Sequence, residues 1–123
     1  MTKSINDILK KELQIKVNGS LWLESGGERF FGPGPVELLE HIAETGSISS
    51  AAREMNMSYK KAWQLINHLN THTANPVITP HTGGEKGGGS TLTPEAHELI
   101  KYHRRLRKRF ASFLEKETKR LKP

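Results

Sequence analysis

The chain has 123 residues, 34% of them hydrophobic, which is enough for one modest core and predicts a single domain over residues 1–123. It has no cysteine, which excludes disulfides and thiolate chemistry. No apolar run approaches the ~20 residues of a membrane span, so we expect no membrane partner and a cytoplasmic protein. The net charge of +6 lies wholly in residues 93–123, with ten Lys and Arg against four Asp and Glu, whereas residues 1–92 carry nine of each. Charge therefore suggests a nucleic-acid partner without deciding it.

The first thirteen residues predict an amphipathic helix. Ser4 and Asp7 are spaced as a capping box, and four apolar residues within this segment are at helical spacing. These are Ile5, Ile8, Leu9 and Leu13. The helix must pack on another part of the molecule.

Residues 14–32 predict a β-hairpin. Apolar residues alternate along its first half, and "SGGE" separates them from "RFFG". The alternating residues are Ile15, Val17, Leu21 and Leu23.

The next segment, "GPGPVELLEHIAETG", predicts a structural helix. Pro35 suits its first position and Gly46 its end. Its apolar stripe consists of Leu38, Leu39, Ile42 and Ala43. Three glutamates, Glu37, Glu40 and Glu44, lie on the opposite face and are expected to be solvated rather than catalytic.

Residues 47–73 predict two helices joined by the turn "NMS", which is a helix-turn-helix candidate or any other helical hairpin. Ser47 or Ser49 can cap the first helix and Ser58 the second. The second helix carries Ala62, Ile66 and Leu69 on its inner face. Its opposite face is polar and includes Tyr59, Lys60, Lys61, Gln64, Asn67, His68 and Thr71. Such side chains can bind phosphates and base edges in the major groove.

Residues 77–92 predict a second hairpin with a glycine-rich tip, the position of the wing in a winged helix. Lys86 is the cation at this tip and Ser90 follows it.

Thr93 and Pro94 then start a long helix over 93–121 whose apolar positions alternate by three and four, which favours a heptad seam. The seam residues are Ala96, Leu99, His103, Leu106, Phe110 and Phe113. This helix could pack on its own domain, but a length of about 42 Å, at 1.5 Å per residue, is more than so small a core needs. We therefore expect dimerisation through Leu99, Leu106, Phe110 and Phe113.

The enzyme hypotheses fail at this stage. Gly84 and Gly89 have the spacing of a P-loop, but Ser90 stands where that motif requires lysine, and no glycine triplet fits the dinucleotide fingerprint. Asp7 is the single aspartate, which leaves little for a catalytic triad. His68 and His72 are four residues apart, but no HExxH motif or thiolate accompanies them. We therefore expect no enzyme, no cofactor and no metal.

Two segments carry a family resemblance: "GSISSAAREMNMSYKKAW" and "TGGEKGGGSTLTPEAHELI". They resemble the N-terminal DNA-binding domain of the molybdate-responsive regulator ModE, and "GSISSAA" with the capped second helix is also similar to the LysR-type helix-turn-helix. The resemblance covers about residues 21–100. Ala96 is a departure, because the family usually has glycine there.

The resemblance implies an α+β, mainly α, winged helix-turn-helix over residues 34–92 that binds operator DNA as a homodimer. It assigns Ser58, Tyr59, Lys60, Lys61 and Gln64 to the recognition helix, and residues 83–90 of the wing to the DNA backbone. Full-length ModE continues into molybdate-binding domains that this sequence lacks, so we expect molybdate sensing not to carry over, and the effector is unknown.

We therefore expect a sequence-specific transcriptional regulator on an approximately palindromic operator, with Ser58, Tyr59, Lys60, Lys61, Gln64, Asn67, Lys86 and Ser90 at the DNA. Two alternatives stay open. One is a non-specific nucleic-acid binder acting through the basic run "KYHRRLRKR" of residues 101–109. The other is a protein-interaction module on a winged-helix scaffold.

Overall fold

A computed structural model describes residues 3–81 and 89–121. Five helices and two small antiparallel sheets make up this part of the chain, which confirms the mainly α class and the winged helix-turn-helix. In chain order the elements are α1 (Ile5–Ile8), β1 (Leu23–Ser25), β2 (Glu28–Phe31), α2 (Pro33–Thr45), α3 (Ile48–Glu54), α4 (Tyr59–Asn70), β3 (Ile78–His81), β4 (Gly89–Leu92) and α5 (Pro94–Arg120).

The length of the chain predicts one domain. In the structure, backbone contacts group the chain into two compact bodies. We call residues 21–103 the winged-helix body and residues 3–20 with 104–121 the terminal body. The helix α5 contributes residues 94–103 to the first and the remainder to the second.

The core of the winged-helix body forms where α2, α3 and α4 meet the two sheets. Its largest fully buried side chains are Phe31, Leu38, Leu39, Ile42, Ile66, Leu69 and Val77. The apolar stripe predicted for α2 is confirmed except at Ala43, which is exposed; Val36, one turn from the helix start, is buried instead. The helix begins at Pro33, two residues before the predicted Pro35. Both prolines fit, because the first N–H groups of a helix have no intrahelical acceptor.

The first hairpin is shorter than predicted. Gly26 and Gly27 both have positive φ, as a two-residue turn of the I′ type requires, and they join β1 to β2. The alternating residues Ile15 and Val17 do not extend β1. They belong to the terminal body, where the Val17 N–H donates to the Thr118 hydroxyl at 2.9 Å instead of to a strand.

The N-terminal helix is also shorter than the predicted 1–13. The Ser4 N–H donates to the Asp7 carboxylate at 3.1 Å, as the capping box predicts, but Leu9 is extended and ends the helix after one turn. This helix buries no side chain, and helices in proteins gain most of their stability from packing an apolar face. Without that packing, the helix does not continue beyond one turn.

Candidate nucleic-acid interface

The first helix of the helix-turn-helix is capped at both ends by local sequence. The Ser47 hydroxyl accepts from the Ser50 N–H at 3.2 Å, which selects Ser47 over Ser49 as the cap of α3. At the other end Asn56 takes a left-handed conformation with φ of 55°. The Met57 N–H then donates to the Ala52 carbonyl at 2.9 Å, which is the Schellman ending of a helix. Asparagine is one of the few side chains that tolerate this conformation, so "NMS" does encode the turn.

Small residues allow α3 and α4 to cross closely. Ala51 is 0% exposed and Ala52 is buried beside it. Ala62 of α4 is buried as well, so three methyl groups stand where the helices meet. The crossing fixes which face of α4 turns inward.

The helix α4 divides cleanly into two faces. Ala62, Ile66 and Leu69 are buried, and the Ser58 hydroxyl caps the helix by accepting from the Lys61 N–H at 3.0 Å. The residues that were expected at the DNA are exposed along the rest of the helix: Tyr59, Lys60, Lys61, Gln64 and Asn67. The structure thus brings six of the eight predicted site residues, Ser58 included, onto one surface, which we call the reading face.

The charges of the reading face are not neutralised internally. Among the residues that the structure describes, Lys60 and Lys61 have no ion-pair partner, and Arg53 at the end of α3 contacts only the Ser50 hydroxyl, at 3.4 Å. The nearby carboxylates of Glu37 and Glu54 both contact His41. Within the described residues, Arg53 is therefore a third cation of the helix-turn-helix that forms no ion pair.

The wing is only partly described, and its base is fixed to the helix-turn-helix. The Ser90 N–H donates to the Gly46 carbonyl at 2.8 Å, and the Val77 N–H donates to the Asn70 side chain at 2.9 Å. Lys86 lies outside the described residues. Ser90 was expected at the DNA, but it is 8% exposed because β4 turns that residue towards the core. A role for its side chain in phosphate binding does not fit this placement.

Sequence reasoning did not foresee the groove between the reading face and the wing. Its volume is about 240 Å³, and it lies between the starts of α3 and α4 and the base of the wing. The lining residues are Ser47, Ile48, Ser49, Tyr59, Trp63, Pro80, Gly89 and Ser90. Tyr59 meets Trp63 edge to face, with ring centroids 6.3 Å apart. The helical spacing of these two aromatic residues was the available signal.

The predicted heptad seam divides between two environments. Ala96 and His103 are buried in the winged-helix body, and His103 meets Phe31 edge to face with ring centroids 5.7 Å apart. Leu99 packs partly against the same core. Phe110 lies in the terminal body, and a methyl group added at Gly19 would be 3.2 Å from its ring. The first half of the seam therefore serves the chain's own core, where His103 contacts Phe31 of β2.

Residues 35–97, slightly more than half of the chain, match the bacterial regulatory helix-turn-helix proteins of the LysR family. The chain belongs to this family. It is a family of non-enzymatic DNA-binding regulators, and the matched range contains α3, the turn, α4 and the described part of the wing.

Several relatives are similar over the same region. The molybdenum-pterin-binding protein MopB of Rhodobacter capsulatus is 49% identical over 78 residues, which is 63% of this chain and 28% of MopB. The DNA-binding transcriptional dual regulator ModE of Escherichia coli is 40% identical over 74 residues, which is 60% of this chain and 28% of ModE. The molybdenum transport protein ModE of Herbaspirillum seropedicae is 41% identical over 90 residues, or 73% and 32%. Each match spans less than a third of the relative, and it supports the expected ModE-like domain.

No helix among the described residues is long and apolar enough to cross a membrane.

Proposed function

We propose that the chain binds double-stranded DNA of a defined sequence as a transcriptional regulator, and that the reading face of α4 does the reading. The observation that carries this proposal is the set of polar side chains on that face, which are exposed while the opposite face of the same helix is buried. Within the described residues the amino groups of Lys60 and Lys61 form no ion pair, so they are available to a ligand. The match to a DNA-binding family supports the same conclusion.

Each side chain of the reading face has a role that its chemistry allows. Lys60 and Lys61 can neutralise phosphates or donate to guanine, and Gln64 and Asn67 can form paired hydrogen bonds with adenine. Because Gln64 and Asn67 are three residues apart on a helix, they point in the same general direction. Tyr59, at the helix start, offers a hydroxyl and a ring that is 54% exposed.

The start of α4 adds a phosphate contact of a different kind. Ser58 uses its oxygen to cap the helix, which leaves its hydroxyl hydrogen free to donate. The unpaired N–H groups and the dipole of the helix start also attract an anion. In the proposal, Lys86 at the wing tip contacts a second phosphate.

We also propose that the protein acts as a homodimer, joined through the terminal body. None of the described side chains of that body is buried, and its apolar side chains are either exposed or only partly covered. Ile8 is 65% exposed and Phe113 is 55% exposed. A body without a core of its own needs another surface to bury these side chains, and a second copy presents an identical one. Leu106 and Phe110, which are partly exposed, belong to the same proposed interface.

A symmetric dimer implies a symmetric target. Two copies of α4 would enter successive major grooves, which are about 34–36 Å apart and correspond to half-sites about 10 base pairs apart. The proposed operator is therefore approximately palindromic. A regulator that binds chromosomal DNA is expected to be cytoplasmic.

Selection of binding sites from a random duplex library tests the proposal. The selected duplex and a scrambled duplex are then compared for the parent chain, Lys60→Ala and Gln64→Ala across a range of salt concentrations. Gln64→Ala should lose about 1–3 kcal/mol on the selected duplex and little on the scrambled one. Lys60→Ala should lower the slope of log K against log salt by about one if Lys60 contacts a phosphate. Lys116→Ala, an exposed cation of the terminal body, is the matched control.

The same experiment distinguishes the proposal from two other functions. The basic residues of α5 at positions 104, 105 and 107–109 are all exposed, which favours non-specific binding as the second candidate. If only neutralising Arg105 and Arg107 weakens binding, and equally on both duplexes, α5 is the DNA-binding element and the reading face is not. If no sequence is enriched and no duplex binds, the domain is an interaction scaffold.

A further inference from the structure

The two histidines that the sequence spaced four apart gain a third partner in the structure. His68 lies near the end of α4 and His72 just beyond it, with ring centroids 4.9 Å apart. Glu28, the first residue of β2, brings a carboxylate oxygen to the same place. One ligand atom from each of the three residues lies within 4.8 Å of the other two. Sequence spacing could not show this, because Glu28 is forty residues earlier in the chain than His68.

Hydrogen bonds leave one ring nitrogen of each histidine with a lone pair. His68 Nε2 lies 3.2 Å from the Arg29 carbonyl and His72 Nδ1 lies 3.0 Å from the His68 carbonyl. A carbonyl oxygen only accepts, so both of these nitrogens carry the proton. The Thr71 hydroxyl, which donates to the His68 carbonyl at 2.6 Å, cannot also donate to His72. His68 Nδ1 and His72 Nε2 are therefore the free acceptors.

This arrangement is the one that metal-binding histidines normally have. A histidine ligand usually donates its second N–H to a carbonyl or carboxylate, which fixes the orientation of the ring before the ion arrives. The His72 ring is fixed further by Phe30, which stacks on it with centroids 4.4 Å apart and planes 4° from parallel. The strand β2 carries both Glu28 and Phe30, so the element that supplies the carboxylate also holds the His72 ring in place.

The third residue is free to complete the site. Glu28 is exposed and, within residues 3–81 and 89–121, has no ion-pair partner. Bonds of about 2.0–2.2 Å to a tetrahedral ion place its ligand atoms roughly 3.5 Å apart, and the three residues here each bring a ligand atom within 4.8 Å of the others, so the side chains are within reach of one ion. The neighbouring cation does not oppose it, because the Arg29 guanidinium lies over the Trp22 ring, 3.4 Å from its centroid.

We propose that Glu28, His68 and His72 bind a divalent d-block cation such as Zn²⁺, with water in the fourth position. Two imidazoles and one carboxylate suit zinc and its neighbours in the first transition row rather than Mg²⁺ or Ca²⁺, which prefer oxygen ligands. The ion links the start of β2 to the end of α4, within the winged-helix body. Its three ligands are not among the residues that we propose contact DNA, which are on residues 58–67 and the wing.

A second cluster, His41 with Glu44 and Glu54, is the internal comparison. There both ring nitrogens of His41 already contact carboxylates, Glu54 at 2.5 Å and Glu37 at 3.7 Å. Within the part of the chain that the structure describes, no backbone carbonyl accepts from one nitrogen of His41 and so leaves the other nitrogen free as a ligand. We therefore expect this cluster to bind zinc much more weakly than Glu28, His68 and His72 do.

Titration of the full, tag-free chain with Zn²⁺ by calorimetry tests the proposal, and Co²⁺ serves as a spectroscopic probe. We expect saturable binding of one ion per chain, a visible cobalt spectrum typical of low coordination number, and a higher Tm with zinc. Glu28→Gln should weaken zinc binding about tenfold or more, and His68→Gln combined with His72→Gln by about a hundredfold or more. Mg²⁺ should give neither heat nor stabilisation.

The variants are chosen to remain folded. Glu28 is exposed beside a turn, and a glutamine at position 68 can still donate to the Arg29 carbonyl, so the metal-free Tm of Glu28→Gln and of His68→Gln should match the parent. His72→Gln loses the stack on Phe30, so the double variant is titrated well below its own metal-free Tm. His97→Gln and His41→Gln are the matched controls and should bind zinc as the parent does. Undiminished binding by the double histidine variant, equal losses in the controls, or a Kd above about 1 mM for the parent would each overturn the proposal.

Discussion

At Gly89 the backbone of the wing passes so close to the helix-turn-helix that no side chain fits. A Cβ atom added there would lie 2.8 Å from the Gly46 carbonyl oxygen, a backbone atom that cannot swing aside. Gly46 itself has φ of 72° at the end of α2. The hydrogen bond from the Ser90 N–H to Gly46 depends on this approach. Two glycines therefore position the wing base against the turn before α3.

We predict that Gly89→Ala lowers the free energy of unfolding by about 1–3 kcal/mol, because the methyl group forces the two backbones apart. Gly34→Ala is the control, since its added Cβ meets nothing within 4 Å and the residue is helical. Alanine at position 34 should leave stability unchanged or raise it by up to about 1 kcal/mol. Urea unfolding of the two variants beside the parent measures both effects, and equal stability of Gly89→Ala and the parent would contradict the close approach.

Ser58 combines two duties in one hydroxyl, and substitutions can separate them. Ser58→Ala removes the acceptor for the Lys61 N–H and should destabilise the protein by about 1 kcal/mol. Ser58→Asp keeps a cap acceptor, so its stability should stay near that of the parent, but it places a negative charge where we propose a DNA phosphate. Its affinity for the selected duplex should fall more than that of Ser58→Ala.

Thermal melting and duplex titration of the same three proteins give the comparison. Ser49→Ala is the control for both measurements, because Ser49 is exposed and Ser47 is the residue that caps α3. If Ser58→Asp bound DNA as tightly as Ser58→Ala, the start of α4 would not lie near a phosphate.

At the scale of elements, prediction succeeded where one local pattern decided the outcome. The helices of the helix-turn-helix followed from serine caps, buried small residues and a period of 3.6, and all three signals agree at α4. The wing strands and the start of α5 at Pro94 followed from turn residues and a Thr-Pro cap. These features depend on residues close in sequence, which one sequence displays directly.

Prediction failed where the outcome depended on distant packing. Ile15 and Val17 alternate as a strand does, yet within residues 3–81 and 89–121 neither pairs with a strand, and the Thr118 hydroxyl accepts from the Val17 N–H instead. His103 fits a heptad position, but Phe31 covers it within the same body. Ser90 lay beside the glycine-rich tip in sequence and is turned inward by the register of β3 with β4. The spacing of apolar residues shows which face of an element is apolar, but it does not show which other part of the chain covers that face.

The candidate site divides in the same way. The reading face could be written down from the sequence because a helix maps spacing onto a surface, and its use in DNA binding remains our prediction. The sequence alone could not show that Glu28 lies beside the two histidines, because that inference requires knowing that β2 runs past the end of α4.

At the scale of the whole molecule, we propose that the terminal body sets the state of assembly. We predict a dimer at micromolar concentration by sedimentation, and Phe113→Asp should shift it to monomer by placing a charge in the proposed apolar interface. Phe113 is 55% exposed within one chain, so the substitution opens no cavity in the subunit.

Tyr59→Asp is the control for the dimer, because Tyr59 is an equally exposed aromatic residue on the reading face. It should remain dimeric while losing affinity for DNA, whereas Phe113→Asp should keep the fold of the winged-helix body and bind a palindromic duplex more weakly. A parent chain that sediments as a monomer, unchanged by Phe113→Asp, would remove the dimer from the proposal.

The lack of buried side chains in the terminal body links its stability to the concentration of the protein. If only a second copy can complete that body, its order depends on protein concentration, and the chain has no single concentration-independent stability. A duplex with two half-sites holds two copies at a high effective concentration even when free protein is scarce. Occupying the operator would then fold residues 3–20 and 104–121, so that the DNA acts as an assembly template for the protein that reads it.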